Sequence, residues 1–147
     1  MRLRRTVTVQ KPLEDVFAYL SDFTTTTEWD PGTVETVRRA GNGAIGTEYQ
    51  NTSTFAGRKT QLTYVVQDLV PNRRIALRGE NKTVIAEDTM TFREVGSDPA
   101  LAQTEVTYTA DFRFKGIIKF IAPLMKPAFT RLGNEAESGM AAALNRL

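Results

Sequence analysis

The sequence predicts an α+β fold, with a curved antiparallel sheet of six or seven strands packed around a long C-terminal helix. Two observations lead to this prediction. From residue 33 to about 115, short runs of alternating apolar and polar residues are separated by turn residues, a pattern typical of hairpins. After residue 115 the apolar residues recur with the helical period instead. The 147 residues fit one domain, spanning 1–147.

One strand and two short helices are predicted before the hairpins. Residues 2–10 alternate and predict the first strand, whereas residues 11–20 follow the i, i+3, i+4, i+7 spacing of one helical face. The dipeptide 21–22 offers a serine or an aspartate as the N-cap of a second helix. The four threonines at 24–27 are weak helix formers, so this helix should be short and end near Trp29. The Asp-Pro-Gly that follows is a turn sequence that leads into the sheet.

The hairpin region divides into six strand segments. Turn sequences at 40–46, 56–58, 70–72 and 96–100 separate most of them. The short spacing between segments makes the sheet antiparallel. The predicted strands are 33–39, 47–55, 59–69, 73–79, 83–95 and 103–115.

The C-terminal segment carries two apolar stripes that point in different directions. The first runs from Ile117 to Met125, and the second begins at Phe129 and is rotated by roughly a quarter turn. Pro123 and Pro127 lie between the stripes, where a proline would break a regular helix. We therefore predict a two-piece segment whose long final helix spans about 128 to 146.

Composition excludes several kinds of site. The chain has no Cys and no His, which removes disulfides, thiolate chemistry, the Ser-His-Asp triad and His-metal sites. Hence neither a metal nor a cofactor is expected. The net charge of +2 is not gathered on one basic face, so nucleic-acid binding is not expected either. No signal peptide or membrane-spanning stretch is visible, and cytoplasmic is the default location.

A twisted sheet with a slender helix along its concave side leaves space between the two layers. The last third of the final helix is rich in small residues, from Ala136 and Gly139 to Ala143. Such a helix cannot fill the hollow of a curved sheet. The space is then closed by aromatic side chains or left as a cavity.

The chain resembles the START-like, helix-grip proteins, in particular the polyketide cyclase/dehydrase-like branch of the SRPBCC superfamily. The likeness covers nearly the whole chain. It implies a helix-grip fold with a deep pocket between the sheet and the last helix, holding an apolar or amphipathic small molecule. Branches of the family include aromatase/cyclases and lipid or quinone carriers. The segments that carry the likeness are the opening strand, "PLEDVFAYLSDFTTTTEWDPGTV", "GAIGTEY", "LTYVVQDLVPNRRIALRG", "TMTFREV", "TEVTYTADFRFKG" and the final helix.

The candidate ligand-binding residues come from strand parity and from this resemblance. An aromatic stripe on a strand is more often core than ligand site, but here the core face is also the pocket wall. Trp29 is interpreted first as a packing anchor and second as part of the wall. Tyr49 is preferred over its neighbour Glu48 because only one of the two can point inward. The candidates are Trp29, Tyr49, Tyr64, Asp88, Met90, Phe92, Tyr108, Phe112, Phe120 and Leu124.

Asp88 has two interpretations. By parity it shares the inward face with Met90 and Phe92, where an unpaired carboxyl would have a raised pKa and could act as an acid or orient a ligand hydroxyl. The favoured alternative is that a register irregularity turns it outward, or that Arg78 or Lys82 pairs with it.

The segment 116–127 is predicted to form a lid over the pocket. Its first stripe would then face the cavity. The opposite side carries lysines, and beside apolar residues they resemble a helix that contacts membranes transiently. A simply solvated face is the favoured interpretation. The predicted inward residues are Ile117, Phe120, Ile121, Leu124 and Met125, and the lysines are Lys115, Lys119 and Lys126.

Three function classes are compatible with the sequence. The leading hypothesis is a binding protein for a hydrophobic or amphipathic small molecule. The alternative is a cyclase, dehydratase or aromatase that uses the same pocket, where Asp, Glu, Tyr or Arg must replace His in acid–base work. The third is a protein-interaction module, as a monomer or as a homodimer formed through an edge strand.

Overall fold

The computed structural model describes residues 1–98 and 100–147. Within them the chain forms seven strands and four α-helices, which confirms the predicted α+β fold. Two short 3₁₀ segments, Phe23–Thr25 and Ala122–Met125, lead into the second and fourth helices. In chain order the elements are β1 Arg2–Val9, α1 Leu13–Ser21, α2 Thr26–Trp29, β2 Thr33–Ala40, β3 Glu48–Phe55, β4 Arg58–Val70, β5 Arg74–Glu80, β6 Val84–Glu94, β7 Thr104–Phe114, α3 Ile118–Ile121 and α4 Lys126–Asn145.

The sheet is a meander that the first strand completes from the far side. Its order is β1-β7-β6-β5-β4-β3-β2, with each neighbouring pair antiparallel. β1 pairs along its whole length with β7, from Arg2 opposite Asp111 to Val9 opposite Thr104. The connection through α1 and α2 therefore carries the chain from one edge of the sheet to the other.

Strand parity places the apolar face as the sequence predicts. On β4 the side chains of Leu62, Tyr64 and Val66 are buried, while Thr63 and Gln67 are exposed. On β6 the buried set is Ala86, Asp88, Met90 and Phe92. This concave face packs against α1 and α4, so the core and any cavity lie between these layers.

The threonines before Trp29 tie the short helix to the sheet. Asp22 caps the first 3₁₀ segment, because its carboxylate accepts a hydrogen bond from the Thr24 backbone N–H (3.1 Å). The Thr26 and Thr36 hydroxyls are hydrogen-bonded at 2.6 Å, and the Thr36 N–H donates to Thr27 Oγ1 at 3.1 Å. These bonds join α2 to β2 and fix Trp29 at the end of α2.

The C-terminal segment is broken near Pro123 and Pro127, where the sequence predicts a break. α3 has four residues, the 3₁₀ segment contains Pro123, and Pro127 lies in the first turn of α4, where a missing N–H costs nothing. Gly139 on α4 lies so close to α2 that an added Cβ would clash with the Trp29 carbonyl oxygen. The long helix therefore contacts α2 directly.

The predicted loop at 96–100 includes Pro99, which lies outside the described residues. In the part of the chain that the structure describes, helices are too short or too polar to span a membrane.

Candidate functional site

A cavity of about 640 Å³ lies between the concave face of the sheet and α4. Apolar and aromatic side chains from five strands, α3 and α4 make up most of its wall. It reaches the surface beside the β3–β4 hairpin and the β5–β6 loop, where the exposed residues Arg58, Lys59 and Thr83 line it. Ligand pockets in proteins commonly have volumes of about 300–1,000 Å³, so the space is large enough for a small organic molecule.

The wall near the mouth is an aromatic cluster centred on Phe129 of α4. The ring of Phe129 lies 4.5 Å from that of Phe55, 5.0 Å from Phe112 and 5.6 Å from Phe114, measured between centroids. Such tilted and edge-on pairs are favourable arrangements of aromatic rings. The cluster fixes α4 against the strands β3 and β7 and gives the ligand space an apolar side.

The inner part of the cavity is polar at Asp88. Asp88 on β6 is 4% exposed, and its Oδ2 accepts a hydrogen bond from the Tyr108 hydroxyl at 2.9 Å. Tyr108 lies on the neighbouring strand β7, two residues from Ala110, which is directly opposite Asp88. This diagonal placement is within reach of a tyrosine side chain. The other carboxyl oxygen, Oδ1, has no partner.

Burial raises the pKa of the Asp88 carboxyl to about 7. The hydrogen bond from Tyr108 lowers this pKa, but the nearby carboxylates of Asp30 and Asp111 raise it further. Burial and the Asp88 charge also hold the pKa values of Tyr64 and Tyr108 well above the ordinary tyrosine value. The cavity therefore contains a carboxyl group that exchanges a proton near neutral pH.

Trp29 is both a packing anchor and a part of the cavity wall. It is 2% exposed and meets Tyr108 edge-on, with 5.8 Å between ring centroids. It also lines the cavity, and its indole Nε1–H has no hydrogen-bond partner. The two interpretations made from the sequence therefore describe the same position.

The position of the Tyr64 ring depends on a glycine on the adjacent strand. Its ring covers Gly79, its partner in the β4–β5 register, where an added Cβ would lie 2.6 Å from Tyr64 Cε1. The absence of a side chain at Gly79 leaves the ring flat against the sheet, and Tyr64 is 7% exposed. Tyr64 is thereby held on the cavity wall.

Sequence reasoning missed several polar residues on the wall, among them Asp30, Asn51 and Thr26. Asn51 donates to the Thr36 hydroxyl at 2.8 Å, and Asp30 accepts from the Gly32 N–H at 3.0 Å. The turn sequence at 30–32 could have indicated the second bond, but nothing in the pattern indicated that Asp30 also borders a cavity.

Five of the ten candidate residues line the cavity. Three others, Tyr49, Met90 and Phe92, point inward as predicted but are buried in the core away from the cavity. There the aromatic rings of α1 and the first 3₁₀ segment cover the concave face: Phe17 contacts Phe92 at 5.1 Å and Phe23 contacts Tyr49 at 5.8 Å between centroids. The five on the wall are Trp29, Tyr64, Asp88, Tyr108 and Phe112. That they contact a ligand stays a prediction.

The remaining two candidates face the solvent. Phe120 is 72% exposed and Leu124 is 80% exposed, so their predicted orientation towards the cavity is wrong, as it is for Ile117. Ile118 lines the cavity instead, together with Ile121 and Met125, which were predicted correctly. Counting from Ile118 at i, i+3 and i+7 gives one apolar set of residues, and counting from Ile117 with the same spacing gives another. Periodicity therefore could not choose between the two faces.

The favoured interpretation of Asp88 is also wrong. The side chain is buried, and Arg78 points to the opposite face, where it pairs with Glu80 at 3.2 Å and Glu87 at 4.0 Å. The pairing of β5 with β6 is regular through Asp88, so no irregularity turns the carboxyl outward.

Comparison with known proteins identifies both a family and a set of similar folds. A family model described as "Polyketide cyclase / dehydrase and lipid transport" matches residues 1–147. No curated protein matches the chain by sequence. Among solved structures, the Zhui aromatase/cyclase from Streptomyces sp. R1128 superposes with a TM-score of 0.80 at 18% identity, covering 99% of this chain and 94% of that one.

Two further structures show the same architecture. A protein from Thermus thermophilus has a TM-score of 0.71 at 18% identity, covering 97% of this chain and 99% of its own. A START superfamily protein from Mycobacterium smegmatis has a TM-score of 0.66 at 16% identity, covering 89% and 92%. At such identities the likeness establishes the fold alone.

Proposed function

The chain belongs to the polyketide cyclase / dehydrase and lipid transport family, and on that premise we propose that it binds a hydrophobic or amphipathic small molecule in the cavity between the sheet and α4. The observation that carries the proposal is the cavity itself, with a volume of about 640 Å³ and a mainly apolar wall. An apolar pocket with a few polar groups is the usual form of a small-molecule site.

The arrangement of the wall favours an amphipathic ligand with its apolar body near the mouth. The Phe129 cluster lies on that side, whereas Asp88 and Tyr108 provide polar atoms further in. Burial of apolar surface would supply most of the binding free energy, about 25 cal/mol per Å² removed from water. The polar atoms would fix the orientation of the ligand.

Filling the cavity tests this proposal. Ala136 lies on α4 and lines the cavity, whereas Ala142 is exposed on the same helix. A fluorescent apolar dye that aromatic and lipid compounds displace from the wild type serves as the probe. Ala136→Phe should weaken binding of this dye, while Ala142→Phe should leave its binding unchanged. Native mass spectrometry of the purified protein would report any molecule that it already carries. If the dye does not bind the wild type, or if both variants bind it equally, the cavity is not the binding site.

A second candidate function is supported by the Asp88–Tyr108 pair. A carboxyl with a pKa of about 7 inside an apolar cavity suits general acid–base chemistry at neutral pH. On a polyketone substrate, Asp88 as carboxylate would take a proton from a carbon between two carbonyls. The resulting enolate carbon would attack a second carbonyl, whose oxygen takes up a proton. This cyclisation is redox-neutral and needs neither a metal nor a cofactor.

Substitutions at Asp88 and Tyr108 test the enzyme hypothesis separately from ligand binding. Tyr108→Phe and Asp88→Asn should each lower the rate of cyclisation of a polyketone analogue severalfold or more, without abolishing its binding. A rate that both variants leave unchanged would exclude catalysis by this pair and leave binding as the function.

We infer further that the exposed face of α3 and the second 3₁₀ segment contacts membranes transiently. Ile117, Phe120 and Leu124 are each more than 70% exposed beside the cavity mouth. Lys119 and Lys126 of the same segment are also exposed, and Lys119 Nζ lies 5.2 Å from the centroid of the Phe120 ring. Exposed apolar side chains flanked by lysines match an anionic lipid surface. A ligand of low solubility could then pass between the membrane and the cavity.

A further inference from the structure

Two buried polar atoms in the described part of the chain lack a hydrogen-bond partner: Trp29 Nε1 and Asp88 Oδ1. Buried polar groups in proteins are nearly always paired, because an unpaired one loses its bonds to water without compensation. Both residues line the same cavity, and they are 2% and 4% exposed. The unpaired atoms therefore point to a group that the ligand supplies.

Tyr108 connects the two residues. Its hydroxyl donates to Asp88 Oδ2 at 2.9 Å, and its ring meets the ring of Trp29 at 5.8 Å with an interplanar angle of 78°. The Tyr108 hydroxyl thus satisfies one carboxyl oxygen and leaves Oδ1 available. The indole and the carboxyl therefore both contact Tyr108, and all three side chains line the cavity.

The two unpaired atoms have complementary hydrogen-bonding capacities. An indole N–H can only donate, whereas a carboxylate oxygen, the form of Asp88 above its pKa of about 7, can only accept. A hydroxyl group both accepts and donates, so a single one can satisfy both atoms. A carboxylate ligand would face Asp88 and Asp30, both on the cavity wall, and would be repelled. A hydrocarbon would leave both atoms unpaired.

We propose that Trp29 Nε1 and Asp88 Oδ1 form a subsite for one hydroxyl group of the ligand, which accepts from the indole and donates to the carboxylate. The inference rests on the proposed function and narrows it to alcohols or phenols with an apolar body. Tyr108 is a positioning residue, because its hydrogen bond and ring contact orient both side chains.

The test uses naphthol and methylnaphthalene, two probes of nearly the same shape that differ by a hydroxyl in place of a methyl group. Wild type should bind naphthol at least about tenfold more tightly, because a site built for a hydroxyl disfavours an analogue that lacks it. Trp29→Phe and Asp88→Leu should each remove this preference while keeping the affinity for methylnaphthalene, which also shows that each variant is folded. Phe112→Leu, a change on the apolar wall, should weaken both probes alike.

The outcomes separate the subsite from the cavity function. If wild type binds both probes equally, or if naphthoate binds more tightly than naphthol, the hydroxyl subsite is overturned while the cavity remains a binding site. If a naphthol preference persists in both Trp29→Phe and Asp88→Leu, these residues do not form the subsite. Binding of neither probe to wild type overturns the proposed function, and the subsite with it.

Discussion

At the scale of single residues, Asp88 contributes to the pH dependence of stability. Its pKa is raised to about 7 in the folded protein, whereas an unfolded chain has a carboxyl pKa of about 3.9. Between these values the folded state holds a proton that the unfolded state lacks, so stability decreases as the pH rises from about 4 through 7. The contribution is on the order of 4 kcal/mol at most, at about 1.4 kcal/mol per pKa unit.

Asp88→Asn should remove this dependence. The variant should be more stable than wild type at pH 8, because it no longer buries a charge near Asp30 and Asp111, and should gain little or nothing at pH 5. Urea unfolding of both proteins at the two pH values measures the difference in stability. The other titrating groups contribute almost equally in the two proteins, so their effects cancel in the comparison. Parallel pH profiles for wild type and variant would show that Asp88 does not titrate in this range.

Gly79 and Tyr64 form a second residue-scale pair. A methyl group at Gly79 would press on the tyrosine ring, so Gly79→Ala should destabilise the protein by about 1–3 kcal/mol and displace Tyr64 from the cavity wall. In a Tyr64→Leu background the same change should cost much less, since the ring is gone. A double-mutant cycle by urea unfolding measures this coupling. If the free-energy effects of the two substitutions are additive, contact with the Tyr64 ring is not the reason why Gly79→Ala destabilises the protein.

At the scale of elements, contact between α4 and α2 depends on Gly139. An added Cβ would clash with the backbone carbonyl of Trp29, which cannot move without moving α2. Gly139→Ala should therefore destabilise by about 1–3 kcal/mol despite the better helix propensity of alanine. Because α2 holds Trp29, affinity for naphthol should also fall.

Gly133→Ala is the matched control on the same helix. There the added Cβ would meet the end of the Arg5 side chain, 2.9 Å from Nη2, and this flexible group can move aside. Thermal unfolding should therefore show a clearly smaller loss for Gly133→Ala than for Gly139→Ala. Equal losses would indicate that the contact with α2 is not the cause.

The break between α3 and α4 predicts unequal protection along the C-terminal segment. α3 has a single turn, and two of its N–H groups, those of Lys119 and Phe120, bond to carbonyls three residues back, at 3.4 Å and 3.1 Å. Hydrogen exchange should be faster at 116–127 than at 130–144, and naphthol should slow it because Ile118, Ile121 and Met125 line the cavity. Equal protection in the two segments would exclude a lid that opens separately.

At the scale of the whole molecule, the two ends of the sheet differ. α1 and its aromatic contacts close one end, whereas the cavity opens at the other beside the exposed face of α3. The double variant Phe120→Glu, Leu124→Glu should reduce co-flotation with phosphatidylglycerol-containing vesicles severalfold, and added salt should weaken wild-type binding.

Ile45→Glu is the control for vesicle binding. Ile45 is 62% exposed, but it lies in the β2–β3 loop, at the other end of β3 from the Phe55–Arg58 hairpin at the mouth. It should bind vesicles like wild type. If Ile45→Glu reduces binding as much as the double variant, the effect comes from general surface hydrophobicity and not from the mouth.

The sequence predicts which side chains of a strand face the core, but not which of them border the cavity. Alternation identified the inward faces of β4, β5, β6 and β7, because the side-chain period of a strand is fixed at two. It could not identify position along such a face: Tyr49 is core and Tyr64 is cavity wall, since the packing of α1 and the first 3₁₀ segment decides where the hollow begins. At α3 two neighbouring helical faces are apolar, so only the tertiary structure selects Ile118 over Ile117.

The pairing of β1 with β7 has a consequence for synthesis on the ribosome. β1 is made before β7, its strand partner in the sheet, which follows after roughly 100 residues; at about 5–20 residues per second this means a delay of about 5–20 seconds. During that time Val7 and Val9 belong to an unpaired, exposed strand, a risk for aggregation. Arg2, Arg4 and Arg5 give the nascent segment a positive charge that opposes self-association. We expect the three arginines of β1 to oppose aggregation until β7 is available for pairing.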